Sequence, residues 1–295
     1  MDEKILENYL KAGRIAAQVK QEILQTIKPG MKIIDLAEAI EKRIFELGGK
    51  PAFPVNIGIN EIAAHYTPSI NDNRQIAPGD LVKIDFGVHV DGYMSDLAFT
   101  YCSEKNELIE AAEKALETGL AVIKPGIKVS EISQAISDSV KAAGFGVIIN
   151  LTGHGLDKFD LHSEPTIPNI VNNSDHMLKS GDVIALEPFI TKTNGYVKES
   201  ETAEIYSYLQ EKNVRMPEGR KILELARDKY FSLPFAKRWL SREISPLKIS
   251  LALKQLESVG AIRSYPVLKE RENKTIAQCE HTIIVENKPV VTTKL

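Results

Sequence analysis

Five residues of this 295-residue chain have side chains that could do chemistry together: Asp85, Asp96, His154, Glu187 and Glu280. Four carboxylates and one imidazole make a hard, oxygen-rich donor set, suited to two divalent ions such as Mn, Fe, Co or Zn that share carboxylates. Such ions sit ~3.5–4 Å apart and bring the pKa of a shared water toward ~7, which yields a hydroxide nucleophile at neutral pH. Any one of these acids taken alone would more simply be a solvated surface group. The chemistry therefore depends on elements that bring all five together.

The stretch Leu81–Tyr101 supplies the first two acids. Ile84, Phe86, Val88 and Val90 alternate with Asp85, Gly87 and His89, the period of a strand with one apolar face. Asp91-Gly92 suits a tight type I′ turn, so a hairpin is expected in which Val90 faces Tyr93 and Asp85 faces Ala98. Asp96 is then the diagonal neighbour of Asp85, roughly 5.5–8 Å away on the same face. Two buried like charges at that distance call for a cation.

The surrounding chain repeats itself. IKPGIK at Ile123–Lys128 nearly copies IKPGMK at Ile27–Lys32, and GDVIALE at Gly181–Glu187 echoes GDLVKID at Gly79–Asp85, with acid against acid at the seventh position. The offsets are 96 and 102 residues, so the chain reads as a worn duplication of two α+β halves about a pseudo-twofold axis. Helices are expected at 4–26 and 33–47. His154 lies between glycines in Asn150–His162, read here as a turn. Ile276–Val285 reads as one strand with Gln278, Glu280 and Thr282 on one side and Cys279, His281 and Ile283 on the other.

Between Lys212 and Glu272 the pattern changes to helices at Glu218–Tyr230, Phe235–Leu240 and Ser245–Val259, followed by a short strand with Tyr265-Pro266. This region carries 14 Lys plus Arg against 7 Asp plus Glu, a balance of +7 within a whole-chain charge of −3. It reads as a winged-helix-like insert, 196–272, interrupting a catalytic body of 1–195 and 273–295. Hydrophobic content of 43% and 26% charged residues are ordinary for a globular protein, and the overall charge argues against a polyanionic partner for the whole chain. No apolar run approaches the ~18 residues of a membrane span and no signal peptide is evident, so a cytoplasmic protein with no membrane partner is expected. Cys102 and Cys279 are too few for a disulfide framework.

The motifs NEIAAHYTPS, KIDFGVHVDGYMSD, GHGLDKFDLH, ALEPF and AQCEHTIIV, in this order, closely resemble the type II methionine aminopeptidases of peptidase family M24, over essentially the whole chain. The resemblance implies the pita-bread fold, two related halves around a dinuclear metal site, with the helical insert as the type II feature. It implies Asp96 and Glu280 as carboxylates bridging both ions, Asp85 as chelator of one, and His154 with Glu187 as ligands of the other. Glu187 would also shuttle the proton of the attacking water to the leaving amine. His65 and His162 match two histidines that contact substrate, and Phe53 and Tyr265 fall where the family lines its methionine pocket. The implied cofactors are two divalent ions among Co, Mn, Fe, Zn and Ni. The implied partners are nascent polypeptide N-termini, acted on by a monomer.

Two departures stand out. Type II members often carry a histidine after Ile167-Pro168-Asn169, and here His176 aligns only with a gap. Gly155 replaces a larger polar residue, a change expected to act on loop stiffness rather than ligation. His89 and His281 match no motif and are read as structural. Two other functions remain open: a proline-specific dipeptidase or aminopeptidase, whose members usually carry an additional N-terminal domain, and a non-catalytic relative binding RNA through the insert. The basic insert could also dock the enzyme on the ribosome, through residues such as Lys237, Arg238 and Arg242.

Overall fold

The computed structural model describes all 295 residues, Met1–Leu295. Helix α1, Glu3–Leu24, starts where the Asp2 carboxylate accepts the Lys4 N–H at 2.9 Å, and it buries Tyr9, Ala12, Ile15, Ala16, Val19 and Ile23 along one face. Lys28-Pro29-Gly30 ends the helical path, with Gly30 in the left-handed region at φ 87°. Helix α2, Ile33–Glu46, follows. Both helices pack on the hairpin formed by Val82–Val90 and Tyr93–Tyr101. In that hairpin Val90 pairs with Tyr93, Asp85 with Ala98 and Gly87 with Asp96. The two-residue turn at Asp91-Gly92 dictates this register.

The second half repeats the design atom for atom at its corners. Helices α3, Glu107–Val122, and α4, Val129–Ala142, stand where α1 and α2 stand in the first half. The Gly30 N–H donates to Ile76 O and the Gly126 N–H to Leu178 O, both at 2.7 Å. The Asp80 carboxylate accepts the Ala77 N–H at 2.8 Å, and the Asp182 carboxylate accepts the Lys179 N–H at 2.7 Å. Each aspartate thus shapes the turn that launches a strand toward the centre. The second apolar core joins α3 and α4 to Ile184, Leu186, Ile190, Ala277 and Ile283.

The terminal stretch departs from the single strand expected. Ile276–Gln278 pairs with Phe189–Thr191, whereas His281–Ile284 pairs with Val183–Leu186, and the ladder breaks at Cys279 and Glu280. The alternation of side chains runs through the break, but there the Glu280 N–H donates to Ala98 O of the opposite half at 2.9 Å. A tertiary partner, invisible in the local pattern, interrupts the strand.

The long strand Val197–Tyr208 pairs antiparallel with Ile262–Glu270. Between them lie α5, Pro217–Leu225, a π-helical turn at Ala226–Tyr230, α6, Lys237–Leu240, and α7, Pro246–Ser258. These elements share a separate core that includes Ile222, Phe235, Leu240, Leu253 and Leu256. Among the contacts that fix them to the rest, Leu268 pairs with Ala64, and buried Arg238 forms an ion pair with Glu41 of α2. Arg238 therefore faces inward and Lys237 is paired with Glu204 at 3.5 Å, so of the three cations suggested for docking only Arg242 is free.

Candidate metal centre

The four acids and the imidazole meet where the two halves join. Asp85 and Asp96 lie within the hairpin, Glu187 follows the end of Val183–Leu186, and Glu280 stands at the break in the terminal stretch. His154 is in the strand Thr152–Asp157 rather than in a turn. Its flanking glycines serve that strand's tight packing. A Cβ on Gly153 would stand 2.5 Å from Ala185 O, and one on Gly155 2.2 Å from Glu164 O. The Gly155 position thus governs strand approach, which corrects the expectation of altered loop stiffness.

Threonine hydroxyls stitch the two halves beneath the acids. The Asp96 N–H donates to Thr282 Oγ1 at 2.6 Å, and that hydroxyl donates to Asp96 O at 2.8 Å. Thr100 Oγ1 likewise accepts the Gln278 N–H and donates to Gln278 O, both at 2.8 Å. Together with the Glu280–Ala98 bond, these contacts set the backbones of Asp96 and Glu280 side by side. Asn169 Nδ2 holds the Glu187 carbonyl at 3.1 Å, and Gln278 Nε2 reaches the Glu187 carboxylate at 3.4 Å. Gly87 has a different task. A Cβ there would come 2.5 Å from the Phe53 ring, so glycine lets Phe53 lie over the hairpin beside the acids.

Ligand atoms of Asp96, His154 and Glu280 all fall within 4.8 Å of one another, and His154 Nε2 lies 3.3 Å from Glu187 and 3.8 Å from Asp96. The His154 Nδ1–H donates to Gly155 O at 3.1 Å, so Nε2 is the nitrogen that faces the carboxylates, donating to Glu187 while protonated and offering a lone pair to a metal once deprotonated. Oxygens of Asp85, Asp96 and Glu280 are buried with no hydrogen-bond partner. Burial, with Asp96 and Glu187 nearby, raises Asp85 well above the usual carboxylate range. Burial also raises Glu280, helped by the charges of Asp96, Glu187 and Asp85. Asp96 is pushed up to about 7 by burial, against the pull of His154. For His154 burial lowers the pKa, but the hydrogen bond and charge of Glu187 overcome it and the net direction is up. Orphaned acceptors and mutually repelling carboxylates fit divalent cations and fit little else.

A cavity of about 270 Å³ opens over this centre and is lined also by Phe53, His65, His162 and Tyr265. His65 follows the strand Ile62–Ala64 and has φ 61°, a conformation rare outside glycine. Its Nδ1 lies 3.2 Å from Pro266 O, which can only accept, so the proton is on Nδ1. Burial holds the ring neutral by lowering its pKa, leaving Nε2 as a bare acceptor. His162 retains solvent exposure, yet its ring packs edge-on to His154 at 4.5 Å. Desolvation, with the charges of His154, His65 and Arg263, pushes its pKa down to about 3. Tyr265 packs edge-on to His65 at 5.6 Å and its hydroxyl meets Ser207 at 3.2 Å.

His176 is exposed and lies outside the cavity walls. His89 accepts the Gly92 N–H in the hairpin turn, and His281 bonds Thr293. Sequence reasoning missed Asn56, Asn169, Gln278 and Thr282. Asn56 pairs with Asp85 across the sheet, lines the cavity and has its amide oriented by Nδ2 donating to Pro54 O at 3.1 Å. Only alternation along the terminal stretch hinted at Gln278 and Thr282.

The profile of metallopeptidase family M24 matches residues 7–286. A protein named methionine aminopeptidase from Thermococcus onnurineus is 49% identical over 289 residues, 97% of each chain. Among solved structures, a thermophilic Arx1 superposes with TM-score 0.86 at 20% identity, covering 100% of this chain and 92% of the other. A methionine aminopeptidase from Thermotoga maritima superposes with TM-score 0.74 at 22% identity, covering 100% and 98%.

Proposed function

The chain belongs to metallopeptidase family M24 and has its pita-bread fold, and from that premise we propose a type II methionyl aminopeptidase that removes the initiator methionine from nascent chains when the second residue is small. The observation that carries this reading is the meeting of Asp85, Asp96, His154, Glu187 and Glu280 beneath one cavity, with buried acceptors left unpaired. Full-length similarity to archaeal methionine aminopeptidases supports the substrate.

Asp96 and Glu280 would hold two divalent ions in common, Asp85 one of them, and His154 with Glu187 the other. Such ions supply Lewis acidity, which makes a nucleophile of water near neutral pH and polarises the scissile carbonyl. The side chains do the rest. Glu187, held by Gln278 and Asn169, takes the proton of the attacking water and delivers it to the departing amine. His65, with a bare Nε2, accepts from a substrate N–H. His162, neutral at working pH, hydrogen-bonds the oxygen of the tetrahedral intermediate by donating from its protonated nitrogen. Phe53 and Tyr265 enclose the methionine side chain, and the wall supplied by Tyr265, Ile205 and Leu268 comes from the two long strands that carry the helical segment.

A cytoplasmic monomer acting on ribosome-borne chains completes the reading, consistent with the finding that no helix is long and apolar enough to cross a membrane. The test is release of methionine from Met-Ala-Ser by metal-free protein reconstituted with Co, Mn or Fe. Release after metal addition supports the reading, and turnover of many Xaa-Pro peptides with no methionine release would replace it by the proline-specific one.

A further inference from the structure

A second cavity, of about 340 Å³, opens where α6 and the π-helical turn meet α2 and the segment Lys50–Pro51, and none of the metal-centre residues lines it. Its walls are aromatic. The Tyr230 and Trp239 rings lie 5.4 Å apart at 33°, and Phe45 beside them is 56% exposed. Its rim is cationic. Lys50, Lys229 and Arg242 have no carboxylate within 4.0 Å, whereas Lys42 is matched by Glu46 at 3.6 Å and Glu41 by Arg238. Lys229 Nζ sits 5.4 Å from the centroid of Tyr230. Glu38, exposed at the same rim, is the remaining acid.

The backbone reaches this arrangement at a cost. Regular helix gives way to a π turn at Ala226–Tyr230, and Phe231 then adopts φ 58° and ψ −123°, unfavourable for a residue with a side chain. This distortion turns Lys229 and Tyr230 to the cavity wall. Unpaired cations around aromatic faces match a ligand that is planar and anionic at once. The volume falls in the range of small-molecule sites, ~300–1,000 Å³, and suits one such ligand.

We propose that this cavity binds a nucleotide, with the base against Tyr230, Trp239 and Phe45 and the phosphate held by Lys50, Lys229 and Arg242. An apolar peptide would leave three cations uncompensated, and a bare anion would leave the aromatic walls wet. Glu38 can accept from the ribose hydroxyls.

Trp239 is the only tryptophan of the chain, so its fluorescence reports on this cavity alone. Full-length protein is titrated with AMP, GMP, an adenylate octanucleotide, adenosine and ribose 5-phosphate, with equilibrium dialysis as a second measure. Saturable quenching by AMP or GMP, weakened about tenfold or more by Arg242→Glu or Lys229→Glu, is the expected result. Ribose 5-phosphate should quench nothing, and adenosine should bind more weakly than AMP. Octanucleotide affinity well above that of AMP would assign the ligand to RNA, and equal or lower affinity to free nucleotide. Methionine release should be unchanged in both variants. No saturable binding of AMP, GMP or octanucleotide overturns the proposal, as does binding that survives both charge reversals.

Discussion

A carboxylate buried among carboxylates is unfavourable as an anion until a cation arrives, and burial lifts Asp96 from its ordinary 3.8 to about 7. Metal ligation needs the anion, so loading the centre at pH 6 should release protons, and affinity should tighten as pH rises through about 7. Calorimetric titration in two buffers of different ionisation enthalpy measures the release. The same shift carries a stability sign. Between about 4 and about 7 the metal-free fold binds more protons at Asp96 than the unfolded chain does, so this contribution to stability is lost as pH rises through about 7. Added metal should therefore raise the melting temperature more at pH 7.5 than at pH 5.5. The two aspartates differ in task. Asp96→Asn should reduce bound metal at both positions, whereas Asp85→Asn should weaken chiefly one, as metal stoichiometry by elemental analysis will show.

Strand-to-strand stitching places those side chains, and Thr282 is its most economical member. Thr282→Val removes the acceptor of the buried Asp96 N–H and the donor to Asp96 O, at a cost of about 1–3 kcal/mol. Denaturant unfolding should show that loss together with weaker metal binding, and Thr282→Ser should restore most of both. This device was hidden in the sequence for a physical reason. The hairpin register was legible because Asp91-Gly92 admits few turn geometries, and the duplication because its Pro-Gly and Gly-Asp corners recur in order. Asp96, which the hairpin presents directly, could be located from the chain alone. Thr282, Gln278 and Asn169 could not, since their partners lie more than a dozen residues away and the pattern around them is that of any half-buried strand. The break at Cys279–Glu280 escaped notice for the same reason, and the π turn because its local pattern is that of an ordinary helix.

At the scale of the molecule, two half-sites become one centre only if the halves and the helical segment hold their relative positions. Arg238, 6% exposed, is a latch between α6 and α2 through Glu41, which also accepts from Trp239 Nε1 at 2.9 Å. Arg238→Leu leaves the Glu41 charge buried with only two neutral donors, Trp239 Nε1 and the Val55 N–H at 3.3 Å, and should destabilise by about 3–5 kcal/mol in chemical unfolding, and Glu41→Leu added to it should recover part of the loss. The molecule as a whole works as proposed only if the converging acids form a metal-dependent aminopeptidase centre in which Glu187 moves a proton. The most direct test is methionine release from Met-Ala-Ser by metal-free and metal-reconstituted protein, wild type against Glu187→Gln. Release only after metal addition, lowered by ~100-fold or more in Glu187→Gln, is predicted. Undiminished release by the metal-free protein, or none with any divalent metal, would contradict it.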